Sequence, residues 1–420
     1  MASLIGLYGG MANNMYVLAK GLGAEGMPVR FIRDRTDNFA FSQPSWEDCW
    51  AVMDYETVLK TASWTADHWN EWEAAAGWQR PDWLVEAADY ASMAGGRHPN
   101  PKWAAILAAM SECDALVVCG VEGASLAALS GKPFVIIPHG GDIRIAARLA
   151  RFGSGIRPWN AITGTREERL LRAAYRRAVA VCTHGPLRLS GPLGRMGFTF
   201  KLRMPLTRFE RLALPAFSHP RRDRVMRRRG LADLMGRLNL PVPEADVVAF
   251  VPSRVDYYWK GQDRLLPALT DAAATRRLHL IFTGWGRDFD DLRQRVPADS
   301  ATFLPFALSK PALSEFYQAA DLVIDQFVLG HYGTATQEAM ACGAPVMLNC
   351  DFDEYERNGW MPPPAINASS AEEIADAFNR IAANAIDLEK IGAAGHKWIM
   401  ALHGTPKVAS TVQSLLAQVQ

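Results

Sequence analysis

Three clusters in the second half of the 420-residue chain have the residue types and spacing to hold a phosphorylated ligand. The first is Phe250–Gly261, FVPSRVDYYWKG. An apolar run ends at Pro252, and Arg254 and Lys260-Gly261 follow on the loop. Parallel sheets bind ligands at the carboxyl ends of their strands. Two cations at such an end suit a diphosphate, the arginine as a planar fork and the lysine as a point charge. The second is Ile281–Asp288, IFTGWGRD, which reads as strand, Gly284-Trp285-Gly286 turn and helix start. The G-x-G-x-x-G dinucleotide fingerprint is incomplete there, and the segment reads instead as a tight βα turn lining a nucleotide cleft.

The third cluster is the longest: Ala319–Met347, AADLVIDQFVLGHYGTATQEAMACGAPVM. A strand over Leu322–Ile324 leads to a loop, and Gly333 opens a helix that runs through Glu338 and ends at Cys342-Gly343. The backbone N–H groups at the start of such a helix (Gly333, Thr334, Ala335) have no intrahelical acceptor and point along the positive end of the helix dipole, so they suit a phosphate. Glu338 lies about one turn deeper on the same helix, placed to accept hydrogen bonds from ribose hydroxyls.

Other chemistry is thinner. Asp351-Phe-Asp353 and Asp288-Phe-Asp290 are D-x-D patterns, which recur by chance. His184, at a strand end, reads as a structural histidine. No H-x-x-H, HExxH or Cys/His cluster offers a zinc site, and no G-x-S-x-G elbow or Walker A pattern is present. No metal site is therefore expected.

The elements that position these clusters alternate. Apolar runs at Leu4–Tyr8, Val29–Ile32, Ala115–Cys119, Phe134–Ile137 and Ala178–Cys182 read as buried parallel strands, and a helical pattern follows Gly9-Gly10. The pattern restarts after a Pro- and Arg-rich stretch, with strands at 247–251, 278–282, 301–304, 322–324 and 345–348 and helices at 262–272, 287–295, 310–319 and 334–341. Two series of this kind predict two doubly wound α/β domains. Residues 41–103 interrupt the first series with eight of the 13 tryptophans and a net charge of −6. Trp46/Trp50 and Trp69/Trp72 stand at helical spacing, which fits helical core packing or an aromatic lining for an acceptor.

Charge is unevenly spread. The formal total is +1, yet residues 144–229 carry 21 Lys/Arg against four Asp/Glu, and the remainder is correspondingly acidic. The basic stretch fits an anionic membrane surface, at roughly 1 kcal/mol per basic residue near the lipid; a polyanionic acceptor or plain surface is the alternative. No nucleic-acid-binding motif accompanies it. The amino terminus shows no signal-peptide pattern, and no run approaches 18 apolar residues, so a cytoplasmic chain, peripheral on the inner face of the membrane, is expected. The six cysteines form no C-x-x-C pair, and Cys119, Cys182 and Cys342 sit in apolar runs as buried thiols.

Arg254, Lys260-Gly261, the G-x-G turn and the helix ending in E-A-M-A-C-G-A-P-V together resemble a retaining glycosyltransferase of the GT-B fold, family four (glycosyl transferases group 1), across roughly residues 247–350. Gly9-Gly10 and PHGGD at 138–142 extend the likeness more loosely into the amino half. The resemblance implies two Rossmann-like domains facing a central cleft, with a C-terminal helix crossing back. It implies a UDP-, GDP- or ADP-sugar donor, no metal and no other cofactor. Arg254 and Lys260 would neutralise the leaving diphosphate, and Thr334 and Ala335 would hold its distal phosphate. Glu338 would bind ribose, His139 would lie beside the donor sugar, and Gly10 would lie near the phosphates and acceptor. Gly284, Gly333, Pro305, Phe306 and His331 complete the expected nucleotide contacts. One departure stands out: where the family carries its first glutamate, eight residues before Glu338, this chain has Gly330.

The expected organisation is an acceptor-side domain over 1–205, including the 41–103 insert, a linker over 206–240, a nucleotide-sugar domain over 241–394, and helices over 395–420 packing back on the first domain. The expected activity is transfer of a sugar, with retention, to a glycan or lipid-linked acceptor in bacterial surface polysaccharide synthesis. A sugar-nucleotide epimerase or hydrolase, or a catalytically silent sugar-nucleotide binder, is the alternative.

Overall fold

The computed structural model describes residues 3–10, 13–35, 38–94, 100–138, 166–183, 208–269 and 277–419. His139, His184, most of the basic stretch and the end of the 262–272 helix lie outside the described residues. The first part of the chain forms strands β1 (Ile5–Tyr8), β2 (Val29–Arg33), β3 (Val52–Asp54), β4 (Leu84–Glu86), β5 (Ala115–Cys119), β6 (Phe134–Ile137), β7 (Ala180–Thr183) and β8 (Phe209–Arg211). The second forms β9 (Val247–Val251), β10 (Leu278–Thr283), β11 (Ala301–Leu304), β12 (Phe306–Leu308), β13 (Leu322–Ile324), β14 (Val346–Leu348) and β15 (Ile366–Asn367). They divide between two compact units, 1–47, 62–215 and 405–420 in one, 48–61 and 216–404 in the other.

The first unit holds a seven-stranded parallel sheet in the order β4-β2-β1-β5-β6-β7-β8. The order reverses between β1 and β5, which is a doubly wound arrangement with its switch point there. The continuous apolar sequences explain it: ALVVC in β5 and FVII in β6 are buried at every residue because helices cover both faces. The Thr405–Leu416 helix packs in this unit on the Asn14–Ala24 helix, with Val408, Val412 and Leu415 buried. Trp46 and Trp69 are buried, with the Trp64 and Trp69 rings 4.7 Å apart and the Trp69 and Trp72 rings 5.6 Å apart. Trp46 and Trp69 are core, and Trp64 and Trp72 are half-buried.

The second unit repeats the design with six parallel strands, β11-β10-β9-β13-β14-β15, and its switch point falls between β9 and β13. Phe250 of β9 stacks on Phe316 with ring centroids 4.9 Å apart, both fully buried. The Leu388–His403 helix lies here against the Thr334–Ala341 helix.

Two features depart from the sequence expectation. Trp46 and Trp50 do not share a helix face: the helix starting at Pro44 ends at Asp48, and residues 48–61 belong to the second unit. There β3 pairs antiparallel with β12, Met53 opposite Ala307, and the Trp50 ring lies under the Arg237 guanidinium at 4.6 Å. The stretch expected as a linker is also structured. Arg224–Arg237 is a helix capped by Asp223, whose carboxylate accepts from the Met226 N–H at 2.8 Å. Its Leu231, Leu234 and Met235 enter the core, while Arg227 and Arg228 pair with Asp321 at 3.4 and 2.7 Å. Arginine-rich composition hid an apolar stripe spaced at three and four residues.

Candidate active site

Near the second unit's switch point, the loops after β9, β10 and β13 carry the three motif clusters. After β9, residues 254–262 fold into a closed turn held by Gln262, which is itself buried. Its Nε2 donates to the Arg254 carbonyl at 2.8 Å, and its Oε1 accepts from the Asp256 N–H at 3.1 Å. Gly261 takes φ +70°, and a Cβ there would meet Val328 at 2.8 Å, so glycine lets this turn lie on the β13 loop. Arg254 is about half exposed, with its Nε 3.5 Å from Asp256.

Lys260 points to Asp325, the first residue after β13. Its Nζ lies 3.1 Å from Oδ1, with the carboxylate fully buried. Ser253 donates to the same oxygen at 3.1 Å, and Thr336 donates to Oδ2 at 2.7 Å. The Gly333 N–H reaches Oδ2 at 3.4 Å. Burial alone would raise the Asp325 carboxyl, but the Lys260 charge and the hydroxyl and ammonium hydrogen bonds outweigh it and hold it below the usual carboxylate range.

Gly333 is the N-cap of the Thr334–Ala341 helix, with Thr334 exposed and Ala335 half-buried at its first turn. One turn on, Glu338 is held by two neighbours from the Lys310–Ala319 helix. Lys310 forms an ion pair with Oε1, and the buried Tyr317 hydroxyl donates to Oε2 at 3.0 Å. Burial and the Glu338 charge push the Tyr317 phenol well up, so it stays a donor. Lys260 and Glu338 are therefore each held by side chains of the protein.

The remaining predicted residues are placed as follows. Gly284 packs against its own chain, since a Cβ there would sit 2.0 Å from the Leu304 carbonyl oxygen. Gly286 has φ +125° and abuts Val255 in the same way, so these glycines join the β10 turn to the 254–262 loop by close backbone packing. Pro305 is exposed between β11 and β12, and Phe306 is half-buried in β12. His331 is half-buried with Nδ1 2.7 Å from the Tyr332 carbonyl oxygen, and burial pushes its imidazole below the usual value. Gly330 takes φ +72°. The loop around it is knit by buried Gln326, which donates to the His331 and Asn349 carbonyls and accepts from the Val328 and Leu329 N–H groups. The D-x-D aspartates have local work: Asp351 caps a helix, and Asp288 accepts from the Tyr257 N–H at 2.7 Å.

In the first unit, Gly10 is exposed after β1 with open space around it. It borders a cavity of about 230 Å³ at the β1/β5 switch point, also lined by Tyr8, Arg33, Asp34 and Glu122. The Tyr8 hydroxyl donates to Asp34 at 2.5 Å and lies 3.0 Å from Glu122, and Lys102 pairs with both acids.

Sequence reasoning missed Ser253, Lys310, Tyr317 and Thr336 and left Asp325 without a role. The available signal was Asp325 itself, an acid interrupting the apolar run LVIDQF.

Residues 245–384, a third of the chain, match the family model described as glycosyl transferases group 1. No curated protein sequence matches the chain. Among solved structures, sucrose-phosphate synthase from Thermosynechococcus elongatus superposes with a TM-score of 0.58 at 15% identity, covering 99% of both chains. Anabaena HepE in complex with UDP-glucose gives 0.59 at 15% identity and 99% coverage of both. The catalytic domain of starch synthase IV from Arabidopsis thaliana, bound to ADP and acarbose, gives 0.60 at 14% identity and 99% coverage of both. These likenesses show the fold. The chain thus has a two-unit α/β fold of the GT-B type. Residues 245–384 are similar in sequence to the group 1 glycosyltransferases.

Proposed function

We propose that the protein transfers a glycosyl group from a nucleoside-diphosphate sugar to an acceptor hydroxyl, with the donor held by the second unit. The observation that carries this reading is the convergence of Arg254, Lys260, the Gly333 helix start and Glu338 at one switch point. Arg254 and Lys260 supply charge where the diphosphate leaves, and the N–H groups of Thr334 and Ala335 face its distal phosphate. Donors fixed in place before the reaction stabilise a developing charge without reorganisation. Glu338 is oriented by Lys310 and Tyr317 to receive the ribose diol. The departing phosphate oxygen takes the acceptor proton on the same face, which gives retention without a protein nucleophile or a metal. The first unit supplies the acceptor surface, and a glycan or lipid-linked acceptor of surface polysaccharide synthesis is the proposed class. Structures of similar fold were solved with UDP-glucose and with ADP, which supports the donor class.

A thermal-shift panel of UDP, GDP, ADP and CMP sugars tests the reading. A ligand that binds only the native state raises the melting temperature. One diphosphate family should stabilise the protein and CMP sugars, with a single phosphate, should not; no response to any diphosphate sugar refutes it. A silent nucleotide-sugar binder is the second reading, favoured by Gly330 where the family has glutamate. It answers in the same panel yet releases no nucleoside diphosphate with any acceptor.

A further inference from the structure

Two of the groups expected to seize a phosphate, Lys260 and the Gly333 N–H, already hold an anion of the protein's own. The Lys260 ammonium, the Ser253 and Thr336 hydroxyls and the Gly333 N–H all converge on the Asp325 carboxylate at 2.7 to 3.4 Å. Asp325 is 1% exposed, so it offers no oxygen to a donor sugar and does not stand in for the glutamate missing at Gly330. We infer that Asp325 is an internal counter-anion of the diphosphate station, which positions Lys260 and weakens the site's hold on nucleoside diphosphate. The inference rests on the donor-binding reading above. Two physical effects act together. The carboxylate fixes the Lys260 side chain, whose long stem would otherwise sample many rotamers. It also places a negative charge beside the incoming phosphates in a site of low dielectric, where charges at short range interact strongly. A bound diphosphate shares Lys260 and the helix start with Asp325, and the shared hold favours release of the product once the sugar has gone. Asp325 is thus a positioning residue that touches no substrate atom, fixing Lys260 and opposing the phosphates by its charge.

The test compares wild type and Asp325→Asn, a replacement of equal size without the charge, for binding of UDP, GDP and ADP by calorimetry and for steady-state transfer. The expected result is roughly tenfold tighter binding of the cognate nucleoside diphosphate, equivalent to about 1.4 kcal/mol, with donor KM and kcat both lowered. Loss of mere structural support would instead raise KM. In a Lys260→Met background the same Asp325→Asn change should still tighten binding, because the carboxylate charge then faces the phosphates without its cation. Asp325→Ser carries the same comparison if Asp325→Asn does not accumulate as folded protein. Equal or weaker binding by a folded, charge-free variant overturns the inference. Failure of wild type to bind any of the three nucleotides overturns the donor-binding reading itself, so the two failures are distinguishable.

Discussion

The Tyr317 hydroxyl donates to Glu338 at 3.0 Å from a ring that is completely buried, while Lys310 neutralises the other carboxylate oxygen. A hydrogen bond to a charged acceptor is worth about 1.5–3 kcal/mol, but here its larger role is aim. Tyr317→Phe keeps the ring and frees the carboxylate to rotate. Donor KM should rise several-fold with kcat little changed, and Glu338→Ala should remove donor binding while the melting curve stays cooperative. Steady-state kinetics with thermal melts check both; a Tyr317→Phe enzyme with unaltered KM contradicts the ribose role.

Replacing Lys260 should act twice. Lys260→Met removes charge from the leaving group, and losing one preorganised donor of this kind costs on the order of 10²–10³ in kcat. It also strands the Asp325 carboxylate without its cation, and breaking a buried pair destabilises by about 3 kcal/mol. Urea denaturation of Lys260→Met and of Lys260→Met/Asp325→Asn measures this: the double variant should recover part of the lost stability. If the single variant is as stable as wild type, the pair contributes nothing.

Acidification should destabilise the protein in two stages. Burial lowers the imidazoles of His219, His279 and His331. In the pH range just below the unfolded histidine value of about 6.5, the unfolded chain binds protons that the folded chain does not, so stability falls with pH. Asp325 is also held low when folded. Its contribution is complete above the unfolded carboxyl value of about 3.9 and is lost as pH drops through the folded one. Unfolding free energies from pH 7.5 to 2.5 should show both stages, and Asp325→Asn should flatten the lower one.

Gly330 and Gly286 should tolerate no side chain, for different reasons. At Gly330 the cost is backbone: φ +72° is strained for other residues by about 1–2 kcal/mol. Gly330→Glu should therefore lose stability without gaining activity. At Gly286 a Cβ would lie 2.1 Å from the Val255 carbonyl oxygen with φ +125°, so Gly286→Ala should separate the β10 turn from the Arg254 loop. The expected melting-temperature loss is larger for Gly286→Ala; equal losses would mean that backbone strain alone explains both.

Much of this protein was legible residue by residue. The strands at 115–119, 134–137, 247–251, 301–304 and 322–324 have the limits that their apolar runs suggest, and the 310–319 and 334–341 helices likewise. Parallel strands buried on both faces and helices opened by Gly or Ser-Lys-Pro carry their signals within a few neighbouring residues. The same holds for the placement of Arg254, Lys260 and Glu338 near the strand ends of one sheet, because their spacing from the apolar runs is local. What the linear order hid are the partners: Asp325 lies 65 residues beyond Lys260, Tyr317 lies 21 before Glu338, and Met53 pairs with Ala307 across more than half the chain. Arg224–Arg237 was masked too, since charge dominated its composition while its apolar stripe was narrow. Sequence by itself determined two doubly wound halves and the charged groups at one switch point, because periodicity and turn chemistry are local. Only the tertiary structure decided which side chains hold those groups, since a hydrogen bond or ion pair depends on distance in space and the crossovers between strands set that distance.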